Sequence, residues 1–206
     1  QLALSGVREL SLITTPPLDR LAVRTYITPF DPIIIRESLL REHFRGGQSF
    51  YVVPRIEDLP QVSETLRELV PEIRMAMAHG RLPPTAIENT MQEFVDGKFD
   101  VLLATNIVES GLDIRNANTM IIYRADMFGL AQLYQLRGRV GRSKLRAYAL
   151  FTLPQHNITA QAERRLKVLQ SLETLGAGFQ LASHDLDIRG AGNLLGDEQS
   201  GHIKEV

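Results

Sequence analysis

Residues 101–117 read VLLATNIVESGLDIRNA, a short apolar run that passes directly into a polar loop containing a glycine. Similar strand-like runs recur along the chain and alternate with segments whose apolar residues have helical spacing. The strand-like runs span residues 22–27, 49–53, 73–78, 101–104, 120–123 and 147–153, and the helical segments span residues 32–44, 56–69, 85–95 and 130–142. This alternation predicts an α/β fold with a mainly parallel sheet flanked by helices.

The two ends of the chain depart from this pattern. Pro16 and Pro17 interrupt the chain after a short apolar segment, as a linker does. After the last strand-like run, a helix is expected near residues 159–172, and the glycine-rich stretch that follows suggests short helices joined by tight turns. The chain therefore divides into residues 1–21, 22–154 and 155–206. Both termini lie within ordinary globular sequence, so we expect the chain to be part of a longer polypeptide.

The composition is that of an ordinary globular chain, because 44% of the 206 residues are hydrophobic and 23% are charged. The formal net charge is −1, so any contact with nucleic acid has to come from local basic patches and not from a global field. Cysteine is absent. This excludes disulfides, thiolate zinc sites and a cysteine nucleophile, and it fits a reducing compartment.

The segment 135–142 reads QLRGRVGR and combines cations, amides and glycines. On a continuous helix over residues 130–142, its polar and apolar side chains fall on opposite faces. The polar face holds Gln132, Gln135, Arg139 and Arg142, and the apolar face holds Leu133, Leu136 and Val140. Planar guanidinium groups can hold phosphate oxygens bidentately, so this pattern predicts a phosphate-binding stripe. The alternative is a solvated basic face.

Two glycines interrupt this predicted helix, at Gly138 and Gly141. Each disfavours a helix by about 1 kcal/mol relative to alanine, so helix stability does not explain them. We expect these glycines to permit a close approach to a neighbouring element or a ligand.

Ligands of parallel sheets bind at the carboxyl ends of the strands, so the loops after Val53, Ala78, Ala104 and Tyr123 are candidate sites. The candidate side chains in these loops are polar or basic. They are Arg55 after the second strand, His79, Gly80 and Arg81 after the third, and Thr105, Asn106, Gly111 and Asp113 after the fourth. Basic residues on adjacent rims predict a phosphate track. The alternatives are a structural histidine, a surface arginine and a capped turn.

The chain contains no complete catalytic machinery. It has no G-x-x-x-x-G-K-[ST] phosphate loop and no acidic pair of the kind that follows a strand and holds the magnesium of a nucleotide. No histidine pair has the spacing of metal ligands, so we expect no metal site in this chain. The sequence predicts that the chain supplies arginines to a phosphoryl-transfer site whose phosphate cradle lies elsewhere.

Segments 48–59, 104–116 and 135–142 resemble motifs IV, V and VI of superfamily 2 helicases and translocases. The resemblance implies a RecA-like domain that closes on a first RecA-like domain, with ATP and Mg²⁺ bound mainly by that first domain. It implies that Arg139 and Arg142 reach the ATP phosphates, and that Gln135 couples the nucleotide to DNA or positions water. It further places Gly111 and Asp113 beside the nucleotide. It places Thr105 and Asn106 beside DNA, and we expect the predicted phosphate track of Arg55, His79, Gly80 and Arg81 to bind DNA as well.

Residues 175–201 resemble the helical hairpin that follows the motor in some double-stranded DNA translocases of this superfamily. Arg189 and Gln199 match the hairpin positions that couple ATP-driven closure to movement along the duplex. The resemblance implies a bacterial, cytoplasmic translocase that displaces stalled RNA polymerase and recruits nucleotide excision repair proteins through other domains. Residues 1–21 would then end the first motor domain, and the chain alone should hydrolyse no ATP. The alternatives are a RecG-like fork-remodelling helicase and a non-catalytic RecA-like interaction module.

Overall fold

The computed structural model describes residues 23–105, 114–155 and 158–171. Within these residues, six parallel strands form one sheet in the order β1-β6-β5-β2-β4-β3. The strands are β1 (Arg24–Pro29), β2 (Gln48–Val52), β3 (Met75–Ala78), β4 (Val101–Ala104), β5 (Ala117–Ile122) and β6 (Tyr148–Leu153). The predicted α/β fold with a mainly parallel sheet is confirmed.

Helices cover both faces of the sheet. They are α1 (Pro32–Phe44), α2 (Leu59–Leu69), α3 (Pro84–Val95), α4 (Leu130–Arg137) and α5 (Ala160–Ser171). Side chains of α1 and α2 pack on one face in a cluster that contains Leu39 and Leu66. Side chains of α3, α4 and α5 pack on the other face in a cluster that contains Phe94, Leu133 and Leu166. Because both faces of the sheet are covered, β2 and β4 are buried along their whole length, and β4 is a continuous apolar run.

Most predicted elements are correct to within a few residues. The helix Pro32–Phe44 begins where predicted because the Asp31 side chain accepts a hydrogen bond from the Ile33 backbone N–H at 2.9 Å, and Pro32 occupies the first turn. The predicted helix over residues 56–69 instead starts as a 3₁₀ turn, Ile56–Asp58, before α2.

One predicted helix is wrong in its length. The segment 130–142 forms a helix only as far as Arg137, and its last five residues belong to the connection to β6. No helix in the described part of the chain is both long enough and apolar enough to cross a membrane.

A buried carboxylate ties the ends of three elements together. Asp100 is 7% exposed and precedes β4. Its oxygens accept hydrogen bonds from the Arg74 backbone N–H at 2.8 Å and from the Arg74 guanidinium at 3.2 and 3.3 Å, and one oxygen lies 3.2 Å from Nδ1 of His43. Burial by itself would raise the pKa of Asp100, but the hydrogen bonds and charge of Arg74 outweigh it and hold that pKa below its ordinary value.

The Asp100 network predicts a pH-dependent effect of Asp100→Asn. A carboxyl whose pKa is lower in the folded state stabilises the fold above its unfolded-state pKa, and this contribution is lost as the pH falls through the folded-state value. We expect the substitution to lower the free energy of unfolding by about 1–3 kcal/mol at pH 7, and by less in acid. Urea unfolding at several pH values measures this difference. The exposed Asp96→Asn is the control, and a difference independent of pH would contradict the assignment.

Candidate functional site

The connection between α4 and β6, residues 138–147, carries two of the predicted phosphate-binding arginines and is named the arginine loop. The backbone N–H of Gly138 donates to the Tyr134 carbonyl at 3.0 Å and closes the last turn of α4. Arg139 and Arg142 therefore lie beyond the end of the helix. The prediction that they share one helical face with Gln132 and Gln135 is wrong, because the chain leaves the helical path at Gly138.

The predicted separation of buried apolar and exposed polar side chains nevertheless continues beyond the end of the helix. Leu133, Leu136 and Val140 are all buried, at 0%, 1% and 4% exposure. Gln135 and Arg142 are exposed. Arg139 is partly buried, which the alternative of a freely solvated basic face does not predict. The apolar face anchors the segment to the core, and the cations lie at its surface.

Gly141 provides the close approach that the sequence predicts. Its φ of +90° lies in the left-handed region, and a Cβ placed on it would lie 3.0 Å from Cγ2 of Val23. The neighbour is therefore the residue that precedes β1. Gly138 has an ordinary right-handed conformation, with φ −72°, and a Cβ there would make only ordinary contacts of 3.5 Å.

Hydrogen bonds fasten the arginine loop to the amino ends of the strands. Nε of Arg137 donates to Oγ1 of Thr25 in β1 at 2.8 Å, and the side chain is only 8% exposed. The Ser143 hydroxyl donates to Oδ1 of Asn118 in β5 at 3.0 Å. These contacts place Arg139 and Arg142 at the amino edge of the sheet, on a loop that is held at two points.

Arg137 is a buried cation that the sequence reasoning did not identify. It lies four residues after Leu133 and one after Leu136, on the apolar side of α4. That spacing was the available signal, since a cation on a core-facing stripe needs buried partners. The structure supplies them in Thr25 and the Val23 carbonyl.

The described residues predicted to contact DNA lie at the opposite, carboxyl edge of the sheet. The last residues of β2, β4 and β3 are in register, with Val52 beside Ala104 and Ala104 beside Ala78. The loops that follow these three strands therefore lie side by side, about 5 Å apart from strand to strand. They carry Arg55, Thr105, His79, Gly80 and Arg81.

Two of these side chains have partners in their own loops. The Arg55 guanidinium donates to both carboxylate oxygens of Asp58, at 3.0 and 3.3 Å, and this hydrogen bonding raises its pKa. Nδ1 of His79 accepts a hydrogen bond from the Arg81 backbone N–H at 3.2 Å, which leaves Nε2 to carry the proton of a neutral ring. Arg55 and Arg81 remain exposed to solvent.

Arg124 is a further basic residue at the carboxyl edge that the sequence reasoning did not name. It follows β5 and has left-handed backbone angles, φ 54° and ψ 55°, which cost a non-glycine residue on the order of 1–2 kcal/mol. Its guanidinium pairs with Asp126 at 2.8 Å. It lines a cavity of about 320 Å³ together with Tyr51 and Tyr123. Burial, with a smaller contribution from Tyr123, raises the pKa of the Tyr51 hydroxyl.

The candidate site residues that the structure describes form two separate groups. The arginine loop lies at the amino edge, and the other basic residues lie at the carboxyl edge. The five residues of β2 separate these edges by roughly 16 Å, at about 3.3 Å per residue. Five predicted site residues lie outside the described residues, namely Asn106, Gly111, Asp113, Arg189 and Gln199. Within residues 23–105, 114–155 and 158–171, no group of three or more acidic or histidine side chains is arranged to hold a metal ion.

The fold and the arginine loop define the class of this protein. The model of the helicase conserved C-terminal domain matches residues 33–144, more than half of the chain, and the chain belongs to this family. The resemblance to superfamily 2 helicases drawn from its motifs is therefore confirmed.

Several transcription-repair-coupling factors (Mfd) are similar to this chain. Over its whole length the chain is 57% identical to the transcription-repair-coupling factor of Rickettsia bellii and 52% identical to that of Escherichia coli. Identity to the factor of Buchnera aphidicola is 46%. The chain spans 18% of the length of the first two relatives and 25% of the third.

Solved helicase structures share the fold of this chain. RecG bound to a three-way DNA junction superposes with a TM-score of 0.73 and 37% identity, covering 87% of this chain and 24% of RecG. The C-terminal domain of the DEAD-box protein Dbp5 has a TM-score of 0.54 at 17% identity, over 73% of this chain and 84% of that one. The second likeness shows the fold alone.

The conformation of Gly141 predicts a cost for Gly141→Ala. We expect the free energy of unfolding to fall by about 1–3 kcal/mol, because the new methyl group meets Val23 and the left-handed backbone is strained. Urea unfolding of the purified chain measures the effect.

Two other glycines separate the causes of this loss. Gly46→Ala tests left-handed strain alone, because Gly46 has φ +85° with no atom within 4 Å of a Cβ. Gly138→Ala introduces neither left-handed strain nor a close contact, so we expect the free energy of unfolding to change by no more than about 0.5 kcal/mol. Equal losses at Gly141 and Gly46 would contradict the contribution of the contact with Val23.

Proposed function

We propose that this chain is the second motor domain of an ATP-dependent double-stranded DNA translocase. In this proposal residues 22–154 form the RecA-like domain, which closes on a first RecA-like domain in cis. Residues 1–21 end that first domain, and residues 155–206 form a helical hairpin. The observation that carries the proposal is the arginine loop, in which Arg139 and Arg142 are presented at one edge of the sheet by a segment fixed through Arg137 and Ser143.

The arginine loop fits the phosphates of ATP in its chemistry. Guanidinium groups suit phosphate oxygens, and a loop held at both ends keeps them oriented before the nucleotide arrives. ATP with Mg²⁺ supplies the phosphoryl group when bound, held mainly by the first domain. Arg139 and Arg142 stabilise the charge that develops during transfer. Gln135, exposed on the last turns of α4, positions water or couples the nucleotide to DNA, and Gly111 and Asp113 line the nucleotide side.

The carboxyl edge of β2, β4 and β3 is the proposed DNA-binding surface. Arg55, His79, Gly80, Arg81 and Thr105 lie on its three adjacent loops, and Asn106 continues the last of them. The Arg55–Asp58 pair does not prevent binding, since an exposed ion pair is worth less than about 1 kcal/mol and a phosphate can replace the carboxylate. With a net charge of −1, such local patches have to carry the contact.

The finer function rests on the relatives. Those relatives are bacterial, and their name links transcription to repair. In this proposal the complete protein is a cytoplasmic motor that displaces stalled RNA polymerase and recruits nucleotide excision repair proteins, with both partners bound by other domains. Arg189 and Gln199 of the hairpin couple closure of the motor to movement on duplex DNA. A RecG-like fork-remodelling activity is the second candidate, because RecG is a structural neighbour at TM-score 0.73. The higher identity to transcription-repair-coupling factors, 46–57%, favours the first.

In the complete motor, Arg139→Ala and Arg142→Ala should each reduce the ATPase kcat by roughly 10³-fold or more, because each removes a cation from the transferring phosphoryl group. A steady-state ATPase assay with duplex DNA measures this. Arg67→Ala, an exposed arginine of α2, serves as the control. A loss below about threefold for the loop arginines would rule out the role given to them in this reaction.

The chain by itself should hydrolyse no ATP, because its sequence lacks a phosphate loop. ATP should instead tighten its association with a purified first motor domain, which a calorimetric titration can follow. Turnover by the chain alone would contradict the proposal. Association that is indifferent to ATP would favour a non-catalytic interaction module.

Arg189→Ala should spare ATP hydrolysis by the complete motor but stop displacement of a protein roadblock from DNA, because the proposed role of the hairpin is coupling and not chemistry. Parallel assays of ATP hydrolysis and of protein-roadblock displacement separate the two. If hydrolysis and displacement fell together, the coupling role would be refuted.

A further inference from the structure

We propose that Glu42 and Arg45, at the carboxyl end of α1, are positioning residues that set the arginine loop for ATP hydrolysis. This inference rests on the proposed function of the loop. Neither residue belongs to the motif-like segments of the sequence, and α1 is separated from the loop by most of the domain in sequence. The contacts that join them are partly buried and lie at the amino edge of the sheet.

Glu42 is a buried carboxylate with a complete set of partners. Its side chain is 1% exposed. It accepts hydrogen bonds from Nε and Nη2 of Arg45 at 2.9 and 2.7 Å, and from the hydroxyl of Thr119 in β5 at 2.5 Å. Gly47 leaves room for this carboxylate, since a Cβ at that position would collide with it. The glycine pair Gly46-Gly47 therefore both turns the chain and admits the acid.

Arg45 carries the network to the arginine loop. The same Nη2 that binds Glu42 also donates to the Arg146 carbonyl at 2.5 Å, one residue before the loop ends at Ala147. Its guanidinium lies 5.3 Å from the ring centroid of Tyr148, and that of Arg41 lies 4.1 Å from the same ring. Hydrogen bonding to Glu42 raises the pKa of Arg45, so the cation is held charged in this position.

The loop is consequently fixed at its start, its middle and its end. Arg137 fixes the start through Thr25, Ser143 fixes the middle through Asn118, and Arg45 fixes the end through the Arg146 carbonyl. Asn118 and Thr119 are consecutive in β5, so the middle anchor and the Glu42–Arg45 pair behind the end anchor both depend on the amino end of this strand.

A role in stability alone is a weak explanation for this arrangement. A buried ion pair contributes little net stability compared with apolar residues of similar volume. What it provides is a defined direction, because the fork of a guanidinium binds Glu42 and the Arg146 carbonyl in one geometry. Misplacement of a catalytic group by about 1 Å can cost on the order of 10²-fold in rate, so a loop that presents Arg139 and Arg142 gains from being fixed.

The test is a steady-state ATPase assay on the complete motor carrying Arg45→Ala. We expect kcat to fall by about 10- to 100-fold while the KM for ATP changes by less than about threefold, because the arginines remain present but are misplaced. Arg45→Lys should recover only part of kcat, since an ammonium lacks the fork that binds both acceptors. Thr119→Val, which removes one partner of Glu42 without removing charge, should give a smaller loss in the same direction and serves if Arg45→Ala does not fold.

Arg36→Ala is the matched control. Arg36 lies on the same helix, donates to the Leu69 carbonyl at 2.7 Å and pairs with Glu72, but it lies away from the loop. We expect it to cost stability and leave kcat unchanged. Equal kcat losses for Arg36→Ala and Arg45→Ala would overturn the positioning role, and so would wild-type kcat in both Arg45→Ala and Thr119→Val.

Arg142→Ala separates this inference from the proposed function. If Arg142→Ala leaves hydrolysis intact, the proposed function fails. If Arg142→Ala abolishes hydrolysis and folded Arg45→Ala does not reduce it, only the positioning inference fails. In the double variant, single-turnover rates should equal those of Arg142→Ala, since both act through one loop. Fully multiplied losses would contradict this.

Discussion

Every strand in the described sheet runs in the same direction, and this constraint organises the rest of the molecule. Each connection has to carry the chain from the carboxyl edge back to the amino edge before the next strand can begin. The two edges therefore present different segments: short loops that follow strands at one edge, and the ends of the returning helices at the other. Arg55 and His79 lie on loops that follow strands, whereas Arg139 and Arg142 lie just beyond the end of a returning helix.

The general rule that ligands bind at the carboxyl ends of parallel strands covers only one of the two groups of candidate residues. That rule leads to the candidate group around Arg55, His79 and Thr105. The arginine loop lies at the other edge because α4 has already returned the chain. Under the proposed function, a nucleotide at the amino edge and DNA at the carboxyl edge would not compete for space.

Local patterns predicted the fold well, because the signals involved act over a few residues. The predicted bounds of the strand Val101–Ala104 and of the helix Pro32–Phe44 agree with the structure. The same reasoning extended α4 too far, because periodic side chains continue past the helix: Val140 is buried although its backbone is not helical. Periodicity reports which side chains face the core, and Gly138 and Gly141 report where the backbone turns.

Contacts between distant segments could not be predicted in this way. The partners of Arg137 lie 112 and 114 residues away, and Arg45 meets Arg146 across 101 residues. The left-handed backbone of Arg124 has no signal in the sequence, since arginine has no preference for that region. The candidate cations were therefore identified by type and motif, while the residues that hold them in place became visible only when the strands were assembled.

The short helix α4 has a consequence for how this domain can vary. It has eight residues and is roughly 12 Å long, at about 1.5 Å per residue, so it links the carboxyl edge to the arginine loop in little more than two turns. With 3.6 residues per turn, inserting or deleting one residue would rotate everything beyond it by about 100° and turn the arginines away from their edge. Length changes should be tolerated in surface connections such as the turn at Gly97, but the spacing between Gly129 and Arg142 leaves no such freedom.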